Sequence, residues 1–219
     1  MTGIVVSKYK FNIIYEDDSL FLVDKPSGLL TMQAPDSRAE TLIDLVNKYF
    51  KKKGYLTRAY LCHRLDRDTS GIILLAKGKS VQRIMMDLFK ERKIFKEYIA
   101  FVKGMPARQR GEIEYRINGQ TAKTHYQIIK GGHKFSVLKL QPVTGRKNQI
   151  RLHLRKIGHP ILGDRRFNRG RDFPVKFRRV ALHAAKIVFF HPVTGKKMSF
   201  GADMPADMKK FLFEYQVKL

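Results

Sequence analysis

Residues 59–77 read AYLCHRLDRDTSGIILLAK. Two apolar runs, 59–65 and 71–77, flank a polar turn from Asp66 to Ser70. Short apolar runs without alternation are the mark of strands buried on both faces. Between them two carboxylates, Asp66 and Asp68, are crowded by His63, Arg64 and Arg67. Turn chemistry alone accounts for such a segment if Asp and Ser bond the backbone. Read as a site, it is an acidic group held among cations. An adjacent Arg keeps an Asp ionised and ready to act as a nucleophile or base.

The flanking sequence supplies the rest of the architecture. FNIIY (11–15) and LFLVD (20–24) flank the polar turn EDDS and predict a hairpin ended by Lys25-Pro26-Ser27-Gly28. Thr41 can cap a helix over 41–50, in which Leu42, Leu45, Val46, Tyr49 and Phe50 form one apolar stripe. Ser80 can cap a second helix that turns Val81, Ile84, Met85 and Leu88 inward, and a strand follows over 94–102, before Gly104. From 112 to 146, strands are broken at Asn118-Gly119, Gly131-Gly132 and Thr144-Gly145, which predicts an antiparallel meander. NQIRLHLRKIG (148–158) reads as a helix stopped by Gly158. A strand near 184–190, a turn at Thr194-Gly195 and a helix near 206–215 complete an α+β pattern with a largely antiparallel sheet. No linker interrupts it, so one domain over 1–219 is expected.

Composition narrows the function. The 219 residues carry 44 Lys plus Arg against 19 Asp plus Glu, a formal charge of +25. A single Cys62 excludes an intrachain disulfide scaffold. Fifteen Phe, nine Tyr and 43% hydrophobic residues exclude a disordered basic tail. The apolar runs GIILLA (71–76) and IVFF (187–190) are far short of the ~20 residues of a membrane span, and MTGIVVSKYKF lacks a signal peptide's layout. A cytoplasmic globular protein and a monomer are expected. A charge this large repels itself and points to a polyanionic partner: nucleic acid first, a membrane surface second. The excess is spread along the chain, whereas membrane-surface binding concentrates it on one helix or block. Its densest stretch is RRFNRGRDFPVKFRR (165–179), which reads as an arm that meets phosphates and stacks on bases, or as a solvated loop. Lys51, Lys52 and Lys53 suit a helix C-terminus.

Cofactor chemistry finds no footing. GKS at 78–80 lacks the earlier Gly of a phosphate-binding loop, since that position is Ile73. The seven histidines form no metal-binding motif, and Cys62 stands alone. No metal and no cofactor are expected. In Gly145-Arg146-Lys147-Asn148-Gln149-Ile150-Arg151-Leu152-His153, Arg151 lies near a helix start, where a cation gains nothing from the dipole. A buried carboxylate partner is one reason for it, and a phosphate contact is another.

HRLDRDTSG (63–71) resembles the central motif of the RluA-type pseudouridine synthases. DKPSGLL (24–30), FKEYIAFVKG (95–104), GRKNQIRLHLRKIGHPILGD (145–164) and ALHAAKIVFFHPVTG (181–195) are similar to four further family motifs in the family's order. The resemblance implies the pseudouridine synthase fold with its active-site cleft across the sheet. It also implies an isomerase that converts specific uridines of ribosomal or transfer RNA to pseudouridine by base flipping. It assigns Asp66 as the catalytic aspartate, Tyr98 as the tyrosine stacked on the target base and Arg151 as the aspartate's partner. Arg64 matches the residue that fills the space left by the flipped nucleotide, and Leu152 lines the pocket. His63, Arg67, Lys25, Arg165 and Arg166 are expected among the RNA contacts. Lys147-Asn148 replaces the family's Thr-His, and Phe167 its Tyr. No S4-type RNA-binding domain is expected before the first motif. Two rival readings are a non-catalytic RNA-binding or ribosome-assembly protein on the same fold, and a Mg²⁺-dependent hydrolase using Asp66 and Asp68. The cations around those carboxylates oppose the second.

Overall fold

The computed structural model describes residues 3–6, 9–33, 38–168 and 173–217. The elements in chain order are β1 (Gly3–Val6), β2 (Tyr9–Glu16), β3 (Leu20–Lys25), α1 (Leu42–Lys52), β4 (Ala59–Leu61), β5 (Ser70–Lys77) and α2 (Lys79–Lys90). They continue with β6 (Phe95–Lys103), β7 (Arg110–Glu114), β8 (Lys123–Lys130), β9 (Phe135–Pro142), α3 (Gln149–Lys156), β10 (Leu182–Phe190), β11 (Lys197–Gly201) and α4 (Ala206–Glu214). The chain divides into two compact units. One comprises residues 1–94 and 186–202; the other comprises 95–185 and 203–219.

In the first unit β1, β2, β3 and β5 pair antiparallel in that order, and β4 also pairs with β5. β5 is buried along its length to Ala76, which is why GIILLA shows no alternation. Leu20, Leu22, Ile72, Leu74 and Ala76 pack with Met85 of α2 and with Ile187 and Phe189. On the opposite side Phe21 meets Phe50 of α1 edge-on, at 5.1 Å between centroids. Thr41 caps α1 in a capping box with Asp44, as its position predicts.

The expected elements differ from the observed ones in detail. The strand expected over 59–65 ends at Leu61, because residues 63–65 are taken up by side-chain bonds described below. Gly78 (φ +98), not Ser80, occupies the N-cap of α2, and Ser80 lies within its first turn. Only Met85 of α2 is buried, and Ile84, expected inside, is 43% exposed. β1 and β11 were not expected; both are short strands completing hairpins.

In the second unit β7, β8 and β9 form the antiparallel meander predicted over 112–146, and β6 pairs antiparallel with β9. The Phe101 N–H donates to the Ala181 carbonyl at 3.0 Å, which continues the sheet toward the start of β10. Phe101, Phe135, Phe177, Phe211 and Tyr215 form one aromatic cluster that seats α4. No described helix is long and apolar enough to cross a membrane.

Candidate active site

Asp66 lies half-buried in the connection from β4 to β5, where its carbonyl accepts the Thr69 N–H at 3.1 Å. The segment Lys25–Thr31 brackets this turn. Lys25 Nζ donates to the carbonyls of Pro26 (2.9 Å), Leu29 (2.8 Å) and Arg67 (3.1 Å). The Gly28 N–H donates to the Arg67 carbonyl at 2.8 Å, and Arg67 Nε returns a bond to the Gly28 carbonyl at 3.1 Å. Ser27 Oγ donates to the Asp68 carbonyl (2.8 Å). Thr31 Oγ1 donates to the Leu65 carbonyl (2.7 Å) and accepts the Leu65 N–H (3.3 Å). The backbone is therefore tied at residues 65, 67 and 68, on both sides of the carboxylate. A supporting shell of this kind holds a reactive group in one geometry.

Two neighbours expected among the RNA contacts bond the protein's own backbone. Lys25, expected at the RNA surface, is 0% exposed, and its ammonium clamps three carbonyls. His63 is half-buried, and its Nε2 accepts the Leu74 N–H at 3.0 Å, which puts the ring proton on Nδ1. Its ring packs on Phe89 at 4.9 Å. Both residues frame the turn. Arg64 and Arg67 are exposed, with Arg64 Nη1 3.7 Å from Met32 Sδ.

In the second unit Tyr98 is buried on β6, opposite Leu140 of β9. Lys96, two residues earlier on the same face of the strand, has its pKa lowered by burial. α3 starts from Asn148, which is left-handed at φ 56° and ψ 21°. Gln149 anchors that start. Its Nε2 donates to the Lys123 carbonyl (2.9 Å) and Thr124 Oγ1 (3.0 Å), and its Oε1 accepts from Thr144 Oγ1 (2.6 Å) and the Arg146 N–H (3.0 Å). All four bonds a buried amide can make are satisfied.

Arg151, two residues on, donates from Nε to Asp164 Oδ2 (2.8 Å) and from Nη2 to Asp164 Oδ1 (2.7 Å). Nη1 donates to Asn148 Oδ1 at 2.9 Å. The Phe167 ring lies under the same guanidinium at 4.7 Å and under that of Arg166 at 5.5 Å. The substitutions Asn148 and Phe167 thus both serve Arg151. Asp164 is the site residue that sequence reasoning missed. The dipole argument asked for a buried carboxylate, and Gly163-Asp164 was the acid nearest along the motif. Only glycine fits before it. At φ +75° a Cβ on Gly163 would stand 1.8 Å from the Arg179 carbonyl oxygen.

Leu152 is half-buried, and Arg165 and Arg166 are exposed. The expected basic arm, 165–179, is coil where it is described, and residues 169–172 lie outside the described residues. Its aromatic residues are not all available to bases. Phe177 packs on Phe101 and Phe211, and Arg179 is held by Asp207 through two bonds, 2.6 and 2.9 Å.

Comparison with known proteins agrees with these motifs. A family model described as RNA pseudouridylate synthase matches residues 19–156. The Bacillus subtilis (strain 168) protein named uncharacterized RNA pseudouridine synthase YhcT is 31% identical over 228 residues, covering 96% of this chain and 74% of that one. Ribosomal large subunit pseudouridine synthase D of Zymomonas mobilis is 32% identical over 222 residues, covering 90% of this chain and 70% of its own. The fold is that of human RNA Pseudouridylate Synthase Domain Containing 4, with a TM-score of 0.81, 22% identity and 94% of each chain covered.

Proposed function

The chain belongs to the RNA pseudouridylate synthase family, isomerases that act on RNA, and from that premise we propose that it converts uridines of ribosomal RNA with Asp66 as the catalytic carboxylate. Tyr98 stacks on the extruded uracil, and Arg151 holds the carboxylate charged and oriented. Pseudouridine carries its base through C5 instead of N1, so the N-glycosidic bond breaks, the uracil turns and a new bond forms. No electrons are exchanged. Extrusion from the stack costs a few kcal/mol. Arg64, exposed beside Asp66's turn, suits the gap left behind, and stacking on Tyr98 returns ~1–3 kcal/mol.

Two routes begin from the ionised carboxylate. It attacks C1′ and forms an ester, or it removes a proton from C2′. Both need a carboxylate that stays charged as water leaves, which a guanidinium partner secures. Enclosure also keeps water from capturing the glycosyl intermediate.

The observation that carries this reading is the extent of the family match, since residues 19–156 include Asp66, Tyr98 and Arg151 together. The large-subunit name of the Zymomonas relative supports ribosomal RNA as the substrate. The test is pseudouridine mapping in cellular RNA with and without the gene, repeated with Asp66→Asn. New sites in ribosomal RNA that vanish with the variant are expected. Sites retained by Asp66→Asn overturn its role, and sites confined to transfer RNA overturn the substrate.

A further inference from the structure

A groove of about 820 Å³ in the first unit lies outside the site described above. Cations reach it from three segments: Arg38 before α1, Lys48 and Lys51 on α1, and Arg58 after it. The helix dipole accounts for a lysine at the end of α1 but not for Arg38 and Arg58. Its two carboxylates are engaged locally. Glu40 pairs with Lys48, and Asp44 accepts from the Thr41 N–H (3.1 Å) and Oγ1 (2.7 Å). Arg38, Lys51 and Arg58 form no ion pair among the described residues. Leu56, on the same rim, is fully exposed.

The rim is held rigidly. Tyr55 OH donates to Glu16 Oε1 (2.6 Å), which also binds Lys77 (2.7 Å), and the Tyr55 ring packs edge-on to Phe50 at 4.8 Å. Asn47 bonds the Ala59 carbonyl and N–H at 3.2 and 2.9 Å. The groove is also tied to the Asp66 turn. Thr31 bonds Leu65, and its carbonyl accepts the Ile43 N–H of α1 at 3.3 Å. Exposed Met32 and Gln33 lead from Arg64 to the groove.

We propose that this groove binds the single-stranded RNA flanking the target uridine, with Arg38, Lys51 and Arg58 on its phosphates and Leu56 against its bases. The inference rests on the RNA-modifying reading and extends it to a second contact surface. Cations converging from separate segments suit a backbone that threads between them, and an exposed apolar residue beside them suits unstacked bases.

The probe is a fluorescent 20-nucleotide oligouridylate, its binding to the full chain followed by anisotropy from 50 to 200 mM KCl. Losing three phosphate contacts lowers the slope of log K against log salt by about 2 for a single strand. R38E/K51E/R58E is expected to show that loss, and K196E/K197E/K209E, an equal charge change elsewhere, is expected to show little. Leu56→Ser is expected to weaken binding about fivefold at every salt concentration without changing the slope. An unchanged slope in the groove variant, or an equal fall in the control, overturns the phosphate contact. Wild-type binding by Leu56→Ser overturns the base contact. Displacement of the oligonucleotide by phosphatidylglycerol vesicles from the wild type, but not from the groove variant, marks a lipid-facing surface and overturns the proposal. Because the readout is binding, it stands apart from the Asp66→Asn result, which tests turnover alone.

Discussion

Arg151 and Asp164 form a two-bonded ion pair at 2.8 and 2.7 Å, with Asp164 1% exposed and Arg151 6%. The fork matches the carboxylate edge to edge and leaves Nη1 for Asn148. Asp164, Asn148 and the Phe167 ring together fix the plane of the Arg151 guanidinium.

If Arg151 serves Asp66 as proposed, Asp164 acts as a positioning residue through their ion pair. Asp164→Asn keeps the volume and one acceptor but loses the charge-assisted pair. We expect a folded protein whose single-turnover rate falls at least tenfold, with RNA affinity nearly unchanged. Asp164→Ala removes a two-bonded carboxylate from the buried Arg151 and is expected to cost about 3–5 kcal/mol in urea denaturation. A wild-type rate for Asp164→Asn rejects the positioning role.

Lys25 offers a choice between two roles. As a clamp it holds three carbonyls around the Asp66 turn, and Lys25→Met is expected to cost about 3 kcal/mol of stability, near 1 for each bond. The salt dependence of RNA binding should then stay as in the wild type. A surface phosphate contact predicts the opposite: unchanged urea stability and a shallower salt slope. Urea denaturation and anisotropy on the same variant separate the two.

Cys62 sits in the core of the first unit, where burial pushes its thiol pKa up to about 12 from the usual 9.0. The native thiol is expected to resist iodoacetamide at pH 8 and to react after unfolding in urea, measured by mass spectrometry. The folded state keeps its proton where the unfolded chain has lost it. Its contribution to stability is full below pH 9.0 and is lost as pH rises toward 12. Tyr55, raised to about 12 chiefly by its bond to Glu16, adds a loss of the same sign above pH 10.0. Cys62→Ala should make the alkaline fall in stability shallower, read from urea curves between pH 8 and 11. Rapid labelling of the native thiol contradicts its placement.

The α+β pattern was legible because local rules decide it. Thr41's cap, the EDDS turn between β2 and β3 and the Gly158 stop each depend on residues within a few positions of one another. The same rules failed where distant groups intervened. The expected strand over 59–65 gave way at His63 and Leu65, whose bonds go to Leu74 and Thr31. α2's predicted inward Ile84 lies exposed, since periodicity marks an apolar stripe but not how much of it a neighbour covers.

The chain's charge, its strand and helix periods and the family motifs around Asp66, Tyr98 and Arg151 could be read without coordinates. Residue type and spacing carry that information directly. That Lys25 turns inward, that Asp164 secures Arg151 across 13 positions and that Arg38, Lys51 and Arg58 line one groove were decided only by folding. Hydrogen bonds and ion pairs act over about 3 Å, and only the packed chain brings distant residues that close.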